Sequence, residues 1–485
     1  MDERIDHAAA KASPSRAAMP WLVAAGVYAL LVLLGDRLLN DPDSYWHLVV
    51  GRWIVDHRAV PYADPFSHTA HGQHWIAFEW LSELAYGGAF SVAGWPGVVV
   101  LAAAAIALAF GLLTHFLLRE LDTTPTLVLV LSALVLASPH MLARPHALVL
   151  PVMVAWTAAL VRAMDRRSGP PYAALPLLIL WANLHGSVSL AIGLIAPAIL
   201  EPLLQSERSE WRRIILRWLP FVALALLAAC LTPYGPQVLL IPLTTFGLGD
   251  ALNTIVEWRP QDFSDLGAFE ILLLLAILML SRGVTLPLVR ILVVLGLLHL
   301  ALTQSRHADL LAMLAPLYLA QPLARQFNRS PGQGEPAGKL SARAIVAGAV
   351  ATMVVMTGVT LARTLAPDPH NTPRAAIEAA DLRNAGPLFN DYAFGGYLIH
   401  AGLAPFIDGR GELYGARLIT RHHRAVMLHD IPDFLKLLDE YRIGATLLAP
   451  ATPAVAFLDR LPDWQRVYAD DVAVVHKRRA GSGTP

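Results

Sequence analysis

Residues 41–48, DPDSYWHL, place two carboxylates, Asp41 and Asp43, one residue apart and follow them with two aromatic rings and a histidine. A carboxylate at such a position can cap the N-terminus of a following helix. It can also bind a divalent metal together with other oxygen ligands, or accept a proton as a general base. Capping explains one aspartate better than it explains two, so the metal site and the general base both stay open.

The acidic pair directly follows PWLVAAGVYALLVLLGDRLL (20–39), an apolar run long enough to cross a bilayer. The chain of 485 residues is 55% hydrophobic and 15% charged, whereas soluble proteins carry about 25% charged residues. This composition predicts a multi-spanning membrane protein. The formal net charge of zero gives no indication of a nucleic-acid partner. The single cysteine, Cys230, excludes an intramolecular disulfide and C-x-x-C motifs.

Apolar stretches of spanning length predict about eleven transmembrane helices. The first is interpreted as a membrane helix and not as a cleaved signal peptide, because no small-residue cleavage site follows it. The stretch at 172–184 is the shortest, and its loss would invert the orientation of everything downstream. The predicted spans are 20–39, 95–118, 125–141, 145–162, 172–184, 186–204, 214–232, 266–281, 284–303, 308–324 and 343–363.

Arginine and lysine concentrate in alternate connections between these spans, which predicts that those connections face the cytoplasm. The predicted organisation is a cytoplasmic tail (1–19), a membrane domain (20–363) and an extracytoplasmic α/β domain (364–485). A Gly/Pro-rich linker at 328–339 falls on the inner side. The polar motifs fall on the outer side: the first loop (40–85), ARPH (143–146), NLHG (183–186), EWRP (257–260) and SRHAD (305–309).

The first outer loop, 40–85, is too long to be a simple turn. Its segment 44–57 has apolar residues at helical spacing and is expected along the membrane surface, with Trp46 and Trp53 at headgroup depth. In the C-terminal domain the apolar patterns predict strands and helices. The predicted strands lie in 386–390, 404–408, 444–450 and 464–478, and the predicted helices in 430–441 and 452–461.

The order of these motifs resembles the GT-C superfamily of membrane glycosyltransferases. The stretch 41–47 is similar to the first-loop acidic motif of oligosaccharyltransferase catalytic subunits. It is less similar to protein mannosyltransferases and to the aminoarabinose transferases of lipid A, which carry Asp-Glu there. WANLHG (181–186), EWRP, SRHADL and the stretch 389–415 look like a poorly characterised bacterial branch of the same superfamily. The resemblance covers nearly the whole chain, and loop 40–85 is its most specific part.

The resemblance implies transfer of a sugar from a polyprenyl-phosphate donor to a glycan, lipid or protein acceptor outside the bacterial cytoplasmic membrane. It implies an inverting reaction with a first-loop aspartate as general base, for which Asp43 is the first candidate and Asp41 the second. No WWD-type motif stands in the C-terminal domain, so transfer to an asparagine sequon is not expected. Asp41, Asp43 and Glu257 are candidate ligands for Mg²⁺ or Mn²⁺, but branches of the superfamily differ in metal use, so a cofactor stays open.

A leaving phosphate needs cationic or hydrogen-bonding groups at the outer edge of the membrane. Arg306 and His307 fit that role, as do Arg144 and His146. Aromatic rings that stack on sugars and polar groups near them supply the remaining candidates, although each can also be an interfacial anchor or a helix end. The candidate substrate-binding residues are His47, Glu79, Trp80, His185, Glu257 and Trp258.

Other classes of function stay open at this stage. A transporter would carry charges near the middle of the membrane and internal repeats, whereas Arg290 is the one deep charge and no repeat is visible. A lipid-linked polysaccharide polymerase or ligase would use the same donors. A non-catalytic assembly protein would keep the fold alone. In the stretch IDGRGELY, Asp408 and Arg410 are explained equally well by acceptor contact and by a tight turn.

Overall fold

A computed structural model describes residues 14–327 and 341–479. Most of the predicted N-terminal tail and the whole predicted linker at 328–339 lie outside these described residues. The chain is mainly helical, with one small sheet near its C-terminus.

The first part of the chain is built from helices of very different lengths. They are α1 (Pro14–Leu33), α2 (Gly35–Leu38), α3 (Ser44–His57), α4 (Trp80–Leu117), α5 (Thr123–Ala137), α6 (Pro145–Asp165), α7 (Leu175–Leu184), α8 (Val188–Gly193), α9 (Ile195–Leu204), α10 (Arg208–Ala229), α11 (Ile241–Phe246), α12 (Ala268–Ser281), α13 (Leu288–Thr303), α14 (Ala308–Phe327) and α15 (Ala342–Leu361).

Each of the eleven predicted apolar spans overlaps one of these helices, or two in the case of 20–39 and 186–204. Within the described ranges, five helical segments are long and apolar enough to cross a membrane, namely those at 16–33, 80–117, 123–140, 145–165 and 342–361. Several of the other apolar helices are only 10–17 residues long. The chain therefore has the apolar helices of a membrane protein, while the count of eleven spans stays a prediction.

Helix α4 joins the first loop to the membrane part. It runs for 38 residues and is kinked where Ala93 and Gly94 leave helical geometry, two residues before Pro96. Glycine and proline at this position account for the kink, because proline cannot donate the helical hydrogen bond. The helix packs against α3, α1 and α6. It thus connects α3 of the first loop with α1 and α6.

The side chains of α12 show how apolar the outer surface of the bundle is. None of them is buried, and Leu274 and Ile277 are 55% and 62% exposed. A helix that is apolar on all sides and unburied by protein fits a surrounding of lipid.

The deep charge predicted at Arg290 is paired. Its guanidinium donates to Glu201 Oε2 from Nε at 3.0 Å, to the Tyr318 carbonyl at 3.1 Å and to Asp165. These residues come from α6, α9, α13 and α14, so the cluster ties four helices together. Two carboxylates compensate the buried charge of Arg290, so its presence is explained by its contacts within the helix bundle.

The C-terminal part forms a four-stranded sheet with helices on both faces. Its strands are β1 (Leu388–Asn390), β2 (Ala445–Leu448), β3 (Trp464–Ala469) and β4 (Val474–Arg478), in the order β1-β2-β4-β3. Strands β1 and β2 are parallel, and the other pairs are antiparallel. Its helices are α16 (Arg374–Ala379), α17 (Gly395–His400), α18 (Gly411–Val426), α19 (Ile431–Glu440) and α20 (Pro453–Leu458).

The side chains of β1 point alternately to the two faces of the sheet. This alternation explains why helices pack on both faces. Leu388 packs in a cluster with residues of α16 and α17, whereas the ring of Phe389 lies 5.0 Å from His422 of α18 and 5.7 Å from Phe434 of α19. Three of the four predicted strand regions contain strands. The stretch 404–408 is a mostly buried loop instead, and the bounds of α18 were not predicted.

The orientation in the membrane can be tested with reporter fusions. We expect alkaline phosphatase, which is active only outside the cytoplasm, to be active when fused after Arg363 and inactive when fused after Arg167 between α6 and α7. The reason is that arginine-rich connections remain on the cytoplasmic side. The measurement is phosphatase activity, normalised to the amount of fusion protein. The opposite pattern at the two positions would contradict the predicted topology.

Candidate functional site

The segment just before α6 is hydrogen-bonded to α2 and to the first residue of α3. The Ala143 amide donates to the Leu38 carbonyl at 2.7 Å, and Ser44 Oγ donates to the Ala143 carbonyl at 3.3 Å. Arg144, the residue that precedes α6, is thereby held beside the Asp-Pro-Asp turn that precedes α3.

The guanidinium of Arg144 contacts three carboxylates from two distant stretches of the chain. Its Nε lies 2.7 Å from Asp41 Oδ2, and its Nη2 lies 3.5 Å from Asp43 Oδ2. Its Nη1 and Nη2 both donate to Glu257, in the fork geometry that makes arginine–carboxylate pairs strong. We call Asp41, Asp43, Arg144, Glu257 and Arg306 the outer charge cluster.

Arg306 completes the outer charge cluster from a fourth segment. Its Nη1 donates to Glu257 Oε1 at 2.8 Å, and its guanidinium lies 4.4 Å from the ring centroid of Trp258. The Ser305 hydroxyl donates to the Glu257 carbonyl and fixes the two short 3₁₀ turns against each other. Asp43 and Arg306 are thus linked through Arg144 and Glu257.

Helix capping does not explain the two aspartates. Asp43 stands at the N-cap position of α3, but its side chain makes no capping hydrogen bond. Asp41 Oδ1 accepts from the Asp43 amide at 3.0 Å and orders the turn. The carboxylate of Asp43 is therefore left to face Arg144.

The three carboxylates proposed as metal ligands, Asp41, Asp43 and Glu257, do come together. They surround the guanidinium of Arg144, which contacts each of them. In this arrangement they do not fit a Mg²⁺ or Mn²⁺ ion, since the ion would need the place that Arg144 occupies.

Burial and neighbouring charges shift the pKa values of Asp43 and Glu257 in opposite directions. Burial raises the pKa of Asp43 to about 8, and the adjacent Asp41 carboxylate adds to the rise, while Arg144 opposes it. Burial also raises the pKa of Glu257, but Arg144 and Arg306 outweigh it and hold that pKa well below its usual range. When Asp41 and Asp43 share one proton, the outer charge cluster carries two negative charges. These balance the two positive charges of Arg144 and Arg306.

The C-terminal domain forms a wall of this site. A Cβ atom on Gly409 would overlap Asp43 Oδ1, so any other residue there would displace that carboxylate from its observed position. The predicted membrane-surface residue Trp46 is buried against Trp75 and does not face lipid, because the C-terminal domain covers α3. The expectation for Trp46 was therefore wrong.

A buried ion network holds the first loop in the C-terminal domain. Arg410 donates from Nη1 to Asp64 at 2.7 Å and from Nε and Nη2 to the two oxygens of Asp408 at 2.8 and 2.7 Å. All three side chains are fully buried. Nearby, the His68 amide donates to the Pro405 carbonyl, and the Thr69 hydroxyl to the Phe406 carbonyl. Asp408 and Arg410 therefore have structural partners and do not lie on an exposed acceptor surface.

A second polar group lies between α3, α4 and the NLHG connection. His185 Nε2 lies 3.2 Å from Glu79 Oε1, and His47 Nδ1 lies 3.3 Å from Glu83 Oε1. Burial raises the pKa of Glu79 to about 8 and lowers that of His185 to about 3. At neutral pH the contact between His185 and Glu79 is therefore formed without a charged imidazole.

Three other predicted site residues make different contacts. Trp80 Nε1 donates to Asn183 Oδ1 at 2.9 Å, which ties α4 to α7. His146 Nε2 lies 3.0 Å from the His140 carbonyl. The ring of His307 meets that of Trp258 edge-on at 6.1 Å. These three contacts do not involve the carboxylates of the outer charge cluster.

Sequence reasoning missed Glu83, Gly409 and the pairing of Asp64 with Arg410. Glu83 had a signal, because it follows Glu79 by one helical turn and falls on the same helix face. The other two had no local signal, since their partners lie more than 300 residues away in the chain.

No protein-family model and no curated protein sequence matches this chain. Solved structures do. The archaeal oligosaccharyltransferase AglB from Archaeoglobus fulgidus, in complex with an inhibitory peptide and a dolichol-phosphate, is similar at a TM-score of 0.57 and 12% identity, over 89% of this chain and 69% of AglB.

ArnT from Cupriavidus metallidurans is similar over a larger share of both chains. Its undecaprenyl phosphate-bound structure has a TM-score of 0.50 and 12% identity, over 96% of this chain and 99% of ArnT. Its apo structure has a TM-score of 0.51 and 14% identity. The resemblance to GT-C membrane glycosyltransferases is confirmed at the level of the fold.

The buried network predicts a large effect on stability from one substitution. We expect Asp64→Ala to lower the melting temperature of the purified protein, because it leaves one side of the buried Arg410 guanidinium unpaired. Breaking a buried pair in this way costs about 3–5 kcal/mol. The measurement is thermal unfolding in detergent. Asp471→Ala, in the exposed turn between β3 and β4, is the control and should melt like the wild type. Equal melting temperatures for all three proteins would contradict the role of the network.

Proposed function

We propose that the protein transfers a sugar from a polyprenyl-phosphate donor to an acceptor on the extracytoplasmic side of the bacterial cytoplasmic membrane. The observation that carries this proposal is the outer charge cluster, which brings two first-loop aspartates and two arginines together in a fold shared with AglB and ArnT. One of those structures contains a dolichol-phosphate and another an undecaprenyl phosphate. Both are polyprenyl phosphates, which supports a donor of the same chemical class.

Asp43 is the general base in this proposal. Its carboxylate is 19% exposed, whereas that of Asp41 is 4% exposed and pairs with Arg144 at 2.7 Å. Asp43 is therefore the acid that an acceptor hydroxyl can reach, and Asp41 holds Arg144 in place. In an inverting transfer, Asp43 accepts the proton of the acceptor as the new glycosidic bond forms and the bond to the phosphate breaks.

Arg306 is the group that stabilises the departing phosphate. Its guanidinium is 23% exposed and pairs with one carboxylate, Glu257. Arg144 is 12% exposed and contacts three carboxylates, so it has less capacity for a further anion. Stacking on Trp258 keeps Arg306 at the edge of the cluster, where charge develops on the leaving group. His307 and Trp258 then shape the donor side.

In this proposal, the acceptor or sugar side of the site is formed by Glu79, His185 and Trp80. Glu79 lies within the electrostatic reach of Arg144 and Arg306. The acceptor itself, whether glycan, lipid or protein, is not specified by these groups. A transporter is less well supported, because the deep charge at Arg290 is neutralised by Glu201 and Asp165.

Replacing the proposed base tests the mechanism. We expect Asp43→Asn to reduce transfer by about 100- to 10,000-fold, which is the usual contribution of general acid–base catalysis. The assay is release of undecaprenyl phosphate from a panel of undecaprenyl-phosphate sugars in proteoliposomes. The matched control is Asp56→Asn on the same helix, because Asp56 is exposed and pairs only with Arg52 in the described structure. Wild-type activity in Asp43→Asn and in the double variant with Asp41→Asn would exclude the aspartate base.

The raised pKa of Asp43 predicts the pH dependence of transfer. Because the base must be deprotonated and its pKa is about 8, kcat/KM should rise with pH up to about 8 and then level off. Glu257 raises the pKa of Asp43, so Glu257→Gln should move the rise to lower pH. The measurement is kcat/KM between pH 6 and 9 for both proteins. A flat profile, or a shift of the variant to higher pH, would contradict the assignment.

A further inference from the structure

A cluster of possible metal ligands lies beside the outer charge cluster and shares none of its residues. His47, Glu79 and Glu83 each offer one ligand atom, and these atoms all lie within 4.8 Å of one another. His47 and Glu83 are 4% and 1% exposed, and the Glu79 carboxylate is 13% exposed. One nitrogen and two carboxylates at this separation can reach a single cation.

The three ligands come from rigid elements. His47 is in the first turn of α3, Glu83 is in the first turn of α4, and Glu79 immediately precedes α4. The two helices approach closely at Gly51, where a Cβ atom would overlap the Glu83 carbonyl oxygen. The separation of the ligands is therefore set by helix packing and not by a mobile loop.

The carboxylate of Glu83 has fewer hydrogen-bond partners than a buried carboxylate requires. Among the described residues its Oε2 is buried and accepts no hydrogen bond, and its Oε1 has only His47 Nδ1 at 3.3 Å. In the part of the chain that the structure describes, neither Glu79 nor Glu83 forms an ion pair with arginine or lysine. A buried carboxylate without compensation is costly, so this oxygen is available as a ligand for a cation.

We propose that His47, Glu79 and Glu83 bind one divalent transition-metal cation, Zn²⁺ or Mn²⁺. Magnesium and calcium prefer sites made only of oxygen ligands, whereas a histidine nitrogen with carboxylates suits zinc and other transition metals. Three protein ligands leave a coordination position open, as in zinc sites that take a further ligand.

His185 supplies the support that such a site requires. Its Nε2 lies 3.2 Å from Glu79 Oε1, and its Nδ1 lies 2.8 Å from Ser187 Oγ. Partners that orient a ligating carboxylate are a regular part of metal sites. The NLHG connection therefore holds Glu79 in position without itself being one of the three ligands.

This cation site is separate from the one expected at Asp41, Asp43 and Glu257. Those three carboxylates contact Arg144, while Glu83 contacts His47. The proposal does not depend on the transfer reaction, because it concerns binding that can be measured on the purified protein.

Metal content tests the proposal directly. The full-length protein in detergent is stripped with EDTA, dialysed against Zn²⁺ alone or Mn²⁺ alone, separated from free metal and analysed by mass spectrometry for bound metal per chain. We expect one ion per chain. Glu83→Gln and Glu79→Gln should each weaken binding at least tenfold, since each removes one of three ligands. Asp43→Asn is the matched control and should bind like the wild type, because Asp43 is not one of the three ligands.

The Mn²⁺-loaded wild type provides a test that needs no variant. Pulsed electron paramagnetic resonance should detect coupling to one histidine nitrogen, and His47→Gln should remove it. Absence of stoichiometric metal in the wild type, absence of nitrogen coupling, or equal binding by the wild type and both glutamate variants would overturn the proposal. Loss of metal in Asp43→Asn with retention in Glu83→Gln would also overturn it, and would place the ion in the outer charge cluster.

Discussion

The arrangement of the outer polar groups depends on the guanidinium of Arg144. Three carboxylates converge on it, and without a cation between them they would repel one another in a buried environment where screening by water is weak. Arginine suits this position because its planar fork contacts several carboxylates at once, which a lysine ammonium cannot do in the same geometry. Removing that charge would leave Asp41 without its closest ion-pair partner and Glu257 with Arg306 alone. The first loop, the start of α6 and the 3₁₀ turn at 256–258 are thus held together by one side chain.

The second constraint is the docking of the first loop into the C-terminal domain. Asp64 enters the sheet domain to pair with Arg410, and the aromatic rings of Phe66 and Trp75 cover that guanidinium at 5.4 and 4.7 Å. Arg410 stands one residue from Gly409, whose missing side chain leaves room for the Asp43 carboxylate. The same short stretch therefore holds the first loop through Arg410 and leaves room for the Asp43 carboxylate at Gly409. Displacement of the C-terminal domain would alter both contacts at once.

Much of the helical fold could be predicted from the sequence, because membrane helices have long apolar runs that are visible without any partner. The polar motifs that meet at the site were also visible, since Asp41, Asp43, Arg144, Glu257 and Arg306 stand beside such runs. Their pairing was not visible. Arg144 was expected to bind phosphate, whereas in the structure three carboxylates already surround it.

Pairs formed across long stretches of chain leave no local pattern, which explains one further miss. Asp64 and Arg410 are 346 positions apart, and nothing near either residue indicates the other. The tight-turn interpretation of Asp408 and Arg410 implied a helix after the turn, but the bounds of α18 were not predicted, and the helix carries arginines and histidines in its second half. The buried stretch 404–408 has the apolar pattern of a strand, but it packs as a loop, with the Phe406 amide donating to Asn390 Oδ1 at 2.7 Å.

The positions of these residues relative to the helices give the site a further electrostatic property. Asp43, Glu79 and Arg144 each immediately precede a helix, namely α3, α4 and α6, and Arg306 lies in the 3₁₀ turn that leads into α14. The N-terminus of a helix carries a partial positive charge and amide groups without intrahelical partners. The N-termini of three helices and the 3₁₀ turn before a fourth therefore lie beside these four side chains. The free amide groups at such N-termini add a positive potential that favours an anion. In the reaction proposed above, this backbone attraction would help to hold the leaving phosphate without an unpaired arginine that would bind it too tightly.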